Sequence, residues 1–166
     1  LFRSILYFDG QFDASRLCTD LAVTAAGHGA TIINYSKAVG FCKSKGKISG
    51  VQLTDMLTGK ECNANGKAVI NATGVFTDTV MQMEDAAKHA IVSPSQGIHL
   101  VVDRSFFPGT NAMMIPKTDD GRVLFDVPWH TKGVIGTTDT PVATTEIRPR
   151  PMGEEIEYTL VTINRY

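Results

Sequence analysis

Four short apolar segments between residues 97 and 137 constrain the fold more than any other feature of this chain. Each segment is five or six residues long, which is typical of β-strands and too short for an ordinary helix. Asp119-Asp120-Gly121 separates the second segment from the third and is a strong hairpin signal, because glycine readily adopts positive φ. The predicted strands are Gly97 to Val102, Ala112 to Pro116, Arg122 to Val127 and Lys132 to Thr137.

The part of the chain before residue 65 predicts a helix and a small meander. Asp13 is a suitable N-cap for a helix over residues 13–28, whose apolar positions recur at helical spacing. Cys18 lies in that apolar stripe, so we expect it to be buried. The β-branched segment from Thr31 to Tyr35 predicts a strand. A polar antiparallel meander is predicted from residues 38–44, 48–55 and 61–64.

Residues 67–72 (KAVINA) are almost continuously apolar and predict a strand that is buried on both faces. Helices are predicted over residues 77–88 and 153–166, and a proline-containing loop over 141–151. Together these signals predict an α+β fold in which helices flank a mixed or antiparallel sheet, with residues 1–166 forming one domain. The Gly-x-Gly-x-x-Gly fingerprint is missing, so we expect no N-terminal dinucleotide-binding βαβ unit.

Composition excludes several classes of partner. The 16 basic and 17 acidic residues give a net charge of −1, so nucleic acid and anionic membranes are not expected partners. No apolar run approaches the ~20 residues of a membrane-spanning helix, and residues 1–8 are too short for a signal peptide. The chain begins without Met, as expected of an excised segment. Its His and Cys residues lack metal-ligand spacing, so no metal site is expected.

Several segments, in their order and spacing, carry a resemblance that covers nearly the whole chain. They are Tyr7 to Asp13 (YFDGQFD), Val69 to Gly74 (VINATG), Ser93 to Val102 (SPSQGIHLVV), Pro116 to Val123 (PKTDDGRV), Pro128-Trp129, and Ile135 to Thr140 (IGTTDT). This series resembles the FAD-dependent glycerol-3-phosphate dehydrogenases, although Ala-Thr-Gly after a buried strand is common to many flavoproteins. The resemblance implies that the chain is an internal fragment, the substrate-side domain of a D-amino-acid-oxidase-like flavoprotein with part of its FAD-binding region.

The resemblance also implies an activity. Enzymes of this family oxidise sn-glycerol 3-phosphate to dihydroxyacetone phosphate with hydride transfer to FAD, and the electrons then pass to quinone or oxygen. The parent protein is expected to be cytoplasmic, and the sequence leaves open whether it docks peripherally on the inner membrane. The family's phosphate-cradling loop and most of its substrate-binding Arg and Lys motifs are missing from this chain. We therefore expect the chain alone to retain no FAD and to be inactive.

The same resemblance assigns candidate site residues. His99 is expected near substrate and flavin as the proton acceptor, a role that suits imidazole because its unperturbed pKa is about 6.5. A histidine within an apolar strand is equally compatible with a structural role. Thr137 is expected to contact substrate as well as cofactor. The expected cofactor-binding residues are Ala72, Thr73, Gly74, Gly136, Thr137 and Thr138.

Other residues carry weaker expectations. Many relatives have Lys where this chain has Gln96, so a charged contact with phosphate is in doubt there. Arg122 stands beside the Asp119-Asp120-Gly121 turn, which favours a surface salt bridge over phosphate binding. Two alternative functions remain open: a related amino-acid oxidase or 2-hydroxyacid dehydrogenase, and a non-enzymatic binding module.

Overall fold

A computed structural model describes residues 5–166, so the first four residues of the N-terminal segment 1–8 lie outside the described part. The chain divides into two compact units, Leu1–Val69 and Ile70–Tyr166. The expectation of one domain over residues 1–166 stays a prediction, and the two units are described separately below.

The first unit begins with helix α1, Ala14–Gly27. The Asp13 carboxylate accepts a hydrogen bond from the backbone N–H of Arg16 at 2.9 Å, which confirms the predicted N-cap. The helix buries none of its residues, and Leu21 is 61% exposed. The prediction that Cys18 is buried is therefore wrong, because periodicity identifies an apolar face but not whether another element covers it.

The predicted meander is confirmed as a three-stranded antiparallel sheet. Its strands are β1 (Ser36–Ser44), β2 (Lys47–Asp55) and β3 (Glu61–Asn65), in that spatial order. Lys45 and Gly46 join the first two strands with φ of 50° and 75°, as a two-residue hairpin turn requires. The segment from Thr31 to Tyr35, predicted as a strand, precedes β1 without forming one. A β-branched run becomes a strand only where a neighbouring strand pairs with it.

Residues 67–72, predicted as a buried strand, form no regular structure, and Ile70 is 87% exposed. That prediction is wrong for the same reason: within the part of the chain that the structure describes, no strand pairs with these residues. A 3₁₀ turn over Gly74–Phe76 leads into helix α2, Thr77–Glu84. The predicted helix is thus confirmed but ends four residues early. Asp78 accepts hydrogen bonds at 3.0 Å from the backbone N–H groups of Ile91 and Val92.

A four-stranded antiparallel sheet dominates the second unit and confirms the four predicted strands. Its spatial order is β5-β8-β7-β6. The strands β4 and β9 form a separate two-stranded antiparallel sheet. This pair was not predicted, because a strand of two residues is too short to show a pattern. The strands are β4 (Ser95–Gln96), β5 (His99–Asp103), β6 (Met113–Ile115), β7 (Leu124–Trp129), β8 (Lys132–Gly136) and β9 (Thr140–Pro141).

The core of this unit lies on one face of the four-stranded sheet, where Ile115, Leu124 and Ile135 are buried. The final helix α3, Gly153–Ile163, contributes Ile163 to the same cluster. It confirms the predicted C-terminal helix but ends three residues early. Side chains alternate between the faces of a strand, so His99 and Val101 lie on the opposite face, where Val101 is 65% exposed. No helix within residues 5–166 is long and apolar enough to cross a membrane.

Candidate functional site

An open cavity of about 640 Å³ lies in the second unit. Three segments line it: β4 and the residue after it, the turn between β6 and β7, and the turn that follows β8. The last of these segments contains two sequence-predicted site residues, Thr137 and Thr138. The lining residues are Ser95, Gln96, Gly97, Gly121, Arg122, Val123, Thr137, Thr138 and Asp139.

At Gly97 two walls of the cavity approach each other closely. A β-carbon built on Gly97 would overlap the carbonyl oxygen of Thr138 and would lie 2.5 Å from Thr137 Oγ1. Thr137 Oγ1 in turn donates to the Thr138 carbonyl oxygen at 3.0 Å. Only glycine fits at position 97 without moving this turn, so the shape of the cavity depends on the missing side chain.

Glu155 is the buried charge that joins these walls. It lies in the first turn of α3 and is 2% exposed. Its Oε1 accepts from the hydroxyls of Thr138 (3.1 Å) and Thr140 (2.9 Å). Its Oε2 accepts from Gln96 Nε2 and from the backbone N–H of Met152, both at 3.0 Å. Burial raises the pKa of Glu155, but these hydrogen bonds outweigh burial and leave the pKa below its usual value.

Sequence reasoning missed this role of Glu155. The two acidic residues in the first turn of α3, Glu154 and Glu155, favour the positive end of the helix dipole and do not by themselves indicate a site. A signal was present, since a glutamate at the third helical position commonly bonds back to the N-cap backbone, as Glu155 does with Met152. The three other donors come from distant parts of the sequence and leave no local pattern.

Gln96 has a structural partner in Glu155. Its Nε2 donates to Glu155 Oε2 and also to the carbonyl oxygen of Arg150, both at 3.0 Å. These two acceptors hold the side-chain amide of Gln96. They give a structural reason to doubt a charged contact between position 96 and phosphate.

His99 opens β5 directly opposite Gly136 in β8. A β-carbon on Gly136 would lie 2.5 Å from His99 Cδ2 and 2.9 Å from the carbonyl oxygen of Ile98, so the glycine makes room for the imidazole. The His99 side chain is exposed, and it forms no hydrogen bond within residues 5–166. The structure therefore brings two of the predicted site residues together, although neither lines the cavity.

Arg122 forms the predicted salt bridge with Asp120. Its Nε donates to Asp120 Oδ2 at 2.7 Å, and Nη2 contacts the same oxygen. Its guanidinium carbon lies 5.3 Å from the centre of the Tyr158 ring, while the Tyr158 hydroxyl donates to Asp120 Oδ1 at 2.8 Å. The hydrogen bond from Arg122 is the main reason that the pKa of Asp120 lies far below its usual value. The ion pair and Tyr158 therefore hold Arg122 at the cavity wall.

The Ala72-Thr73-Gly74 segment is a braced turn apart from the cavity lining. Thr73 Oγ1 donates to Asn71 Oδ1 at 2.7 Å, and Asn71 Nδ2 donates to the carbonyl oxygen of Thr77 at 3.0 Å. Gly74 has φ of +57°, which favours glycine. These local hydrogen bonds hold the Ala72-Thr73-Gly74 segment in its position before α2.

The chain belongs to the FAD-dependent oxidoreductase family, because the family model described as FAD dependent oxidoreductase matches residues 1–166. Within that family it is similar to glycerol-3-phosphate dehydrogenases. It is 40% identical over 172 residues to the mitochondrial glycerol-3-phosphate dehydrogenases of Bos taurus and of Homo sapiens. Each alignment covers 100% of this chain and 24% of the relative, so the chain spans about a quarter of the length of these proteins.

A solved structure gives the same family. The chain is similar to the glycerol-3-phosphate dehydrogenase from Bacillus halodurans, whose crystal structure is complexed with FAD. The TM-score is 0.84 and the sequence identity 36%, and the match covers 91% of this chain and 30% of that protein. The described fold, helices with antiparallel sheets, therefore matches part of a flavoprotein.

Proposed function

We propose that the protein containing this chain oxidises sn-glycerol 3-phosphate to dihydroxyacetone phosphate with FAD as the hydride acceptor. The observation that carries the proposal is the likeness to the FAD-complexed dehydrogenase, with a TM-score of 0.84 at 36% identity. The curated relatives, which match this chain over its whole length, support the same substrate.

Within that protein we assign residues 1–166 to the substrate-side domain with part of the FAD-binding region, without the N-terminal βαβ unit. FAD supplies the two-electron acceptor for the hydride at C2 of the substrate. Thr137 and Thr138 line the open cavity, and this supports their assignment to the flavin. The residues assigned to hold FAD are Ala72, Thr73, Gly74, Gly136, Thr137 and Thr138.

His99 takes the hydroxyl proton while the C2 hydrogen leaves as hydride. The C2–O bond thereby becomes a carbonyl, and the two electrons leave with the hydride. Three observations support this role: the imidazole is exposed, it has no hydrogen-bond partner in the described chain, and Gly136 leaves space beside it. Thr137, also exposed, is assigned to orient the substrate.

The electron acceptor and the location belong to the same proposal. The electrons pass from FAD to quinone or oxygen, and we place the protein in the cytoplasm, with peripheral docking on the inner membrane left open. The curated relatives named above are mitochondrial proteins by name.

Anaerobic reduction of the full-length protein tests the proposal. Addition of sn-glycerol 3-phosphate is expected to bleach the flavin absorbance, and His99→Ala is expected to slow bleaching by about 10²–10⁴-fold. His89→Ala is the matched control, because His89 is also exposed and belongs to the same unit. Equal bleaching in wild type and His99→Ala would return His99 to a structural role. Bleaching by an amino acid or another 2-hydroxy acid, but not by glycerol 3-phosphate, would overturn the substrate.

A further inference from the structure

We propose that Glu155 is a positioning residue for the oxidation, acting through Thr138 on the end of β5 that carries His99. This inference rests on the proposed function. Glu155 belongs to α3 and does not line the cavity. Its carboxylate nevertheless holds Gln96 and Thr138, which lie on two walls of the cavity.

The hydrogen-bond directions around Thr138 define a relay. A carboxylate with a lowered pKa only accepts, so Thr138 Oγ1 must donate its proton to Glu155. The lone pairs of the same oxygen then accept from the backbone N–H of Ile98 at 3.0 Å. Ile98 is the residue before His99, and His99 pairs with Gly136. The hydrogen bonds from Thr138 to Glu155 and from Ile98 to Thr138 thus connect the start of β5 to the turn that follows β8.

Both carboxylate oxygens are fully used. Oε1 accepts from two hydroxyls and Oε2 from two N–H groups. A glutamine at position 155 has nearly the same shape but only one acceptor oxygen. Whichever way its amide turns, two donors face an NH₂ group. An NH₂ group turned toward Gln96 and Met152 faces two N–H donors, whereas one turned toward Thr138 and Thr140 can donate to their hydroxyl oxygens but leaves the hydroxyl protons without their acceptor. Because the site is buried, we expect either arrangement to displace the surrounding segments.

These segments carry residues of the proposed site. Movement of Thr138 changes the turn that contains Thr137, and release of the Ile98 N–H frees the residue adjoining His99. Loss of the Gln96 contact loosens β4, whose next residue, Gly97, sets the close approach to Thr138. A displacement of about 1 Å of reacting groups can cost 10²-fold in rate. We therefore expect Glu155→Gln to act on kcat more than on KM.

The test compares Glu155→Gln, Thr138→Val and the double variant in the full-length, FAD-loaded protein. Flavin reduction at saturating sn-glycerol 3-phosphate is measured anaerobically, with flavin content from absorbance. Each single variant is expected to reduce its flavin about ten- to a hundredfold more slowly. The double variant should be no slower than the slower single variant, because both substitutions break the same relay.

Thr159→Ala controls for stability. Thr159 is fully buried in the same helix and donates only to the backbone carbonyl oxygen of Glu155 at 2.8 Å. It should lower the melting temperature while changing the reduction rate by less than about twofold. A rate near wild type in flavin-loaded Glu155→Gln, multiplicative losses in the double variant, or an equal slowing in Thr159→Ala would each overturn the proposal. Should Glu155→Gln fail to fold, a wild-type rate in Thr138→Val overturns it.

The wild-type protein separates this proposal from the proposed function. If glycerol 3-phosphate leaves the wild-type flavin oxidised, the proposed function fails. The same variants are then compared with whichever alcohol or amine substrate reduces it, and the relay predicts the same pattern of losses.

Discussion

Gly97 and Thr138 approach so closely that a β-carbon on Gly97 would overlap the Thr138 carbonyl oxygen. The contact joins the residue after β4 to the turn after β8, and both line the cavity. Side chains and backbone from segments some forty residues apart therefore set the geometry of the proposed site, and this close approach has a direct consequence for substitution.

Gly97→Ala is expected to displace the Thr137-Thr138 turn and to lower flavin content and activity in the full-length protein. Overpacking of this kind costs about 1–3 kcal/mol of folding stability. Flavin absorbance per protein and the melting temperature measure the two effects. Gly109→Ala is the control, because its β-carbon would meet only the Phe107 ring at 3.7 Å. A normal flavin content in Gly97→Ala would show that the turn yields without cost.

Gly136→Ala is expected to push the His99 imidazole off its position, since the new β-carbon would lie 2.5 Å from His99 Cδ2. Flavin reduction by glycerol 3-phosphate should slow by about tenfold or more. The measurement is anaerobic stopped-flow absorbance, with Gly109→Ala again as control. In a His99→Ala background the imidazole is gone, so Gly136→Ala should cause a smaller further loss. Equal losses in both backgrounds would contradict the argument.

Asp126 is expected to destabilise the protein at neutral pH. It is 2% exposed in β7, its Oδ1 has no hydrogen-bond partner in the described chain, and burial raises its pKa against a smaller opposing effect of Arg104. A raised folded-state pKa means that the folded state binds more protons than the unfolded state above pH ~3.9, the unfolded value. The free energy of unfolding therefore falls as pH rises from about 3.9 to the folded-state pKa of Asp126, and the loss is complete above that pKa.

Asp126→Asn removes this charge and should stabilise the protein at pH 7 by about 1 kcal/mol. The gain should shrink as pH falls toward the unfolded pKa of about 3.9, below which Asp126 is protonated in both states. Melting temperatures of wild type and variant at several pH values measure it. Asp103→Asn is a surface control, because Asp103 is exposed and forms its ion pair with Lys132 in solvent. A gain that does not depend on pH would contradict this explanation.

Residues 1–166 expressed alone are expected to be colourless and inactive. The sequence contains no Gly-x-Gly-x-x-Gly loop to cradle the FAD pyrophosphate. Gel filtration followed by a visible spectrum tests this, with the full-length protein as the positive control. A flavin spectrum that co-elutes with the chain would show that residues 1–166 suffice for binding.

The strands β1, β2, β3, β5, β6, β7 and β8 and the three α-helices described within residues 5–166 could be predicted from sequence because their signals are local. Turn residues such as Gly46 and Gly121 take the positive φ that their positions indicate. The segments 31–35 and 67–72 could not be predicted correctly, since an apolar run specifies a preference and a pairing partner decides whether a strand forms. The prediction that Cys18 is buried was wrong for a similar reason, because an apolar helix face is buried only where another element covers it.

By itself, the sequence determined the helices and most of the strands and, through its motifs, the family and the candidate residues His99, Gly136, Thr137 and Thr138. Only the tertiary structure decided which residues meet: His99 lies against Gly136, and Gly97 lies against Thr138. It also revealed Glu155, whose donors lie up to 59 residues away in the chain. A buried carboxylate is stabilised by donors gathered in three dimensions, and such a gathering has no spacing that a linear pattern can show.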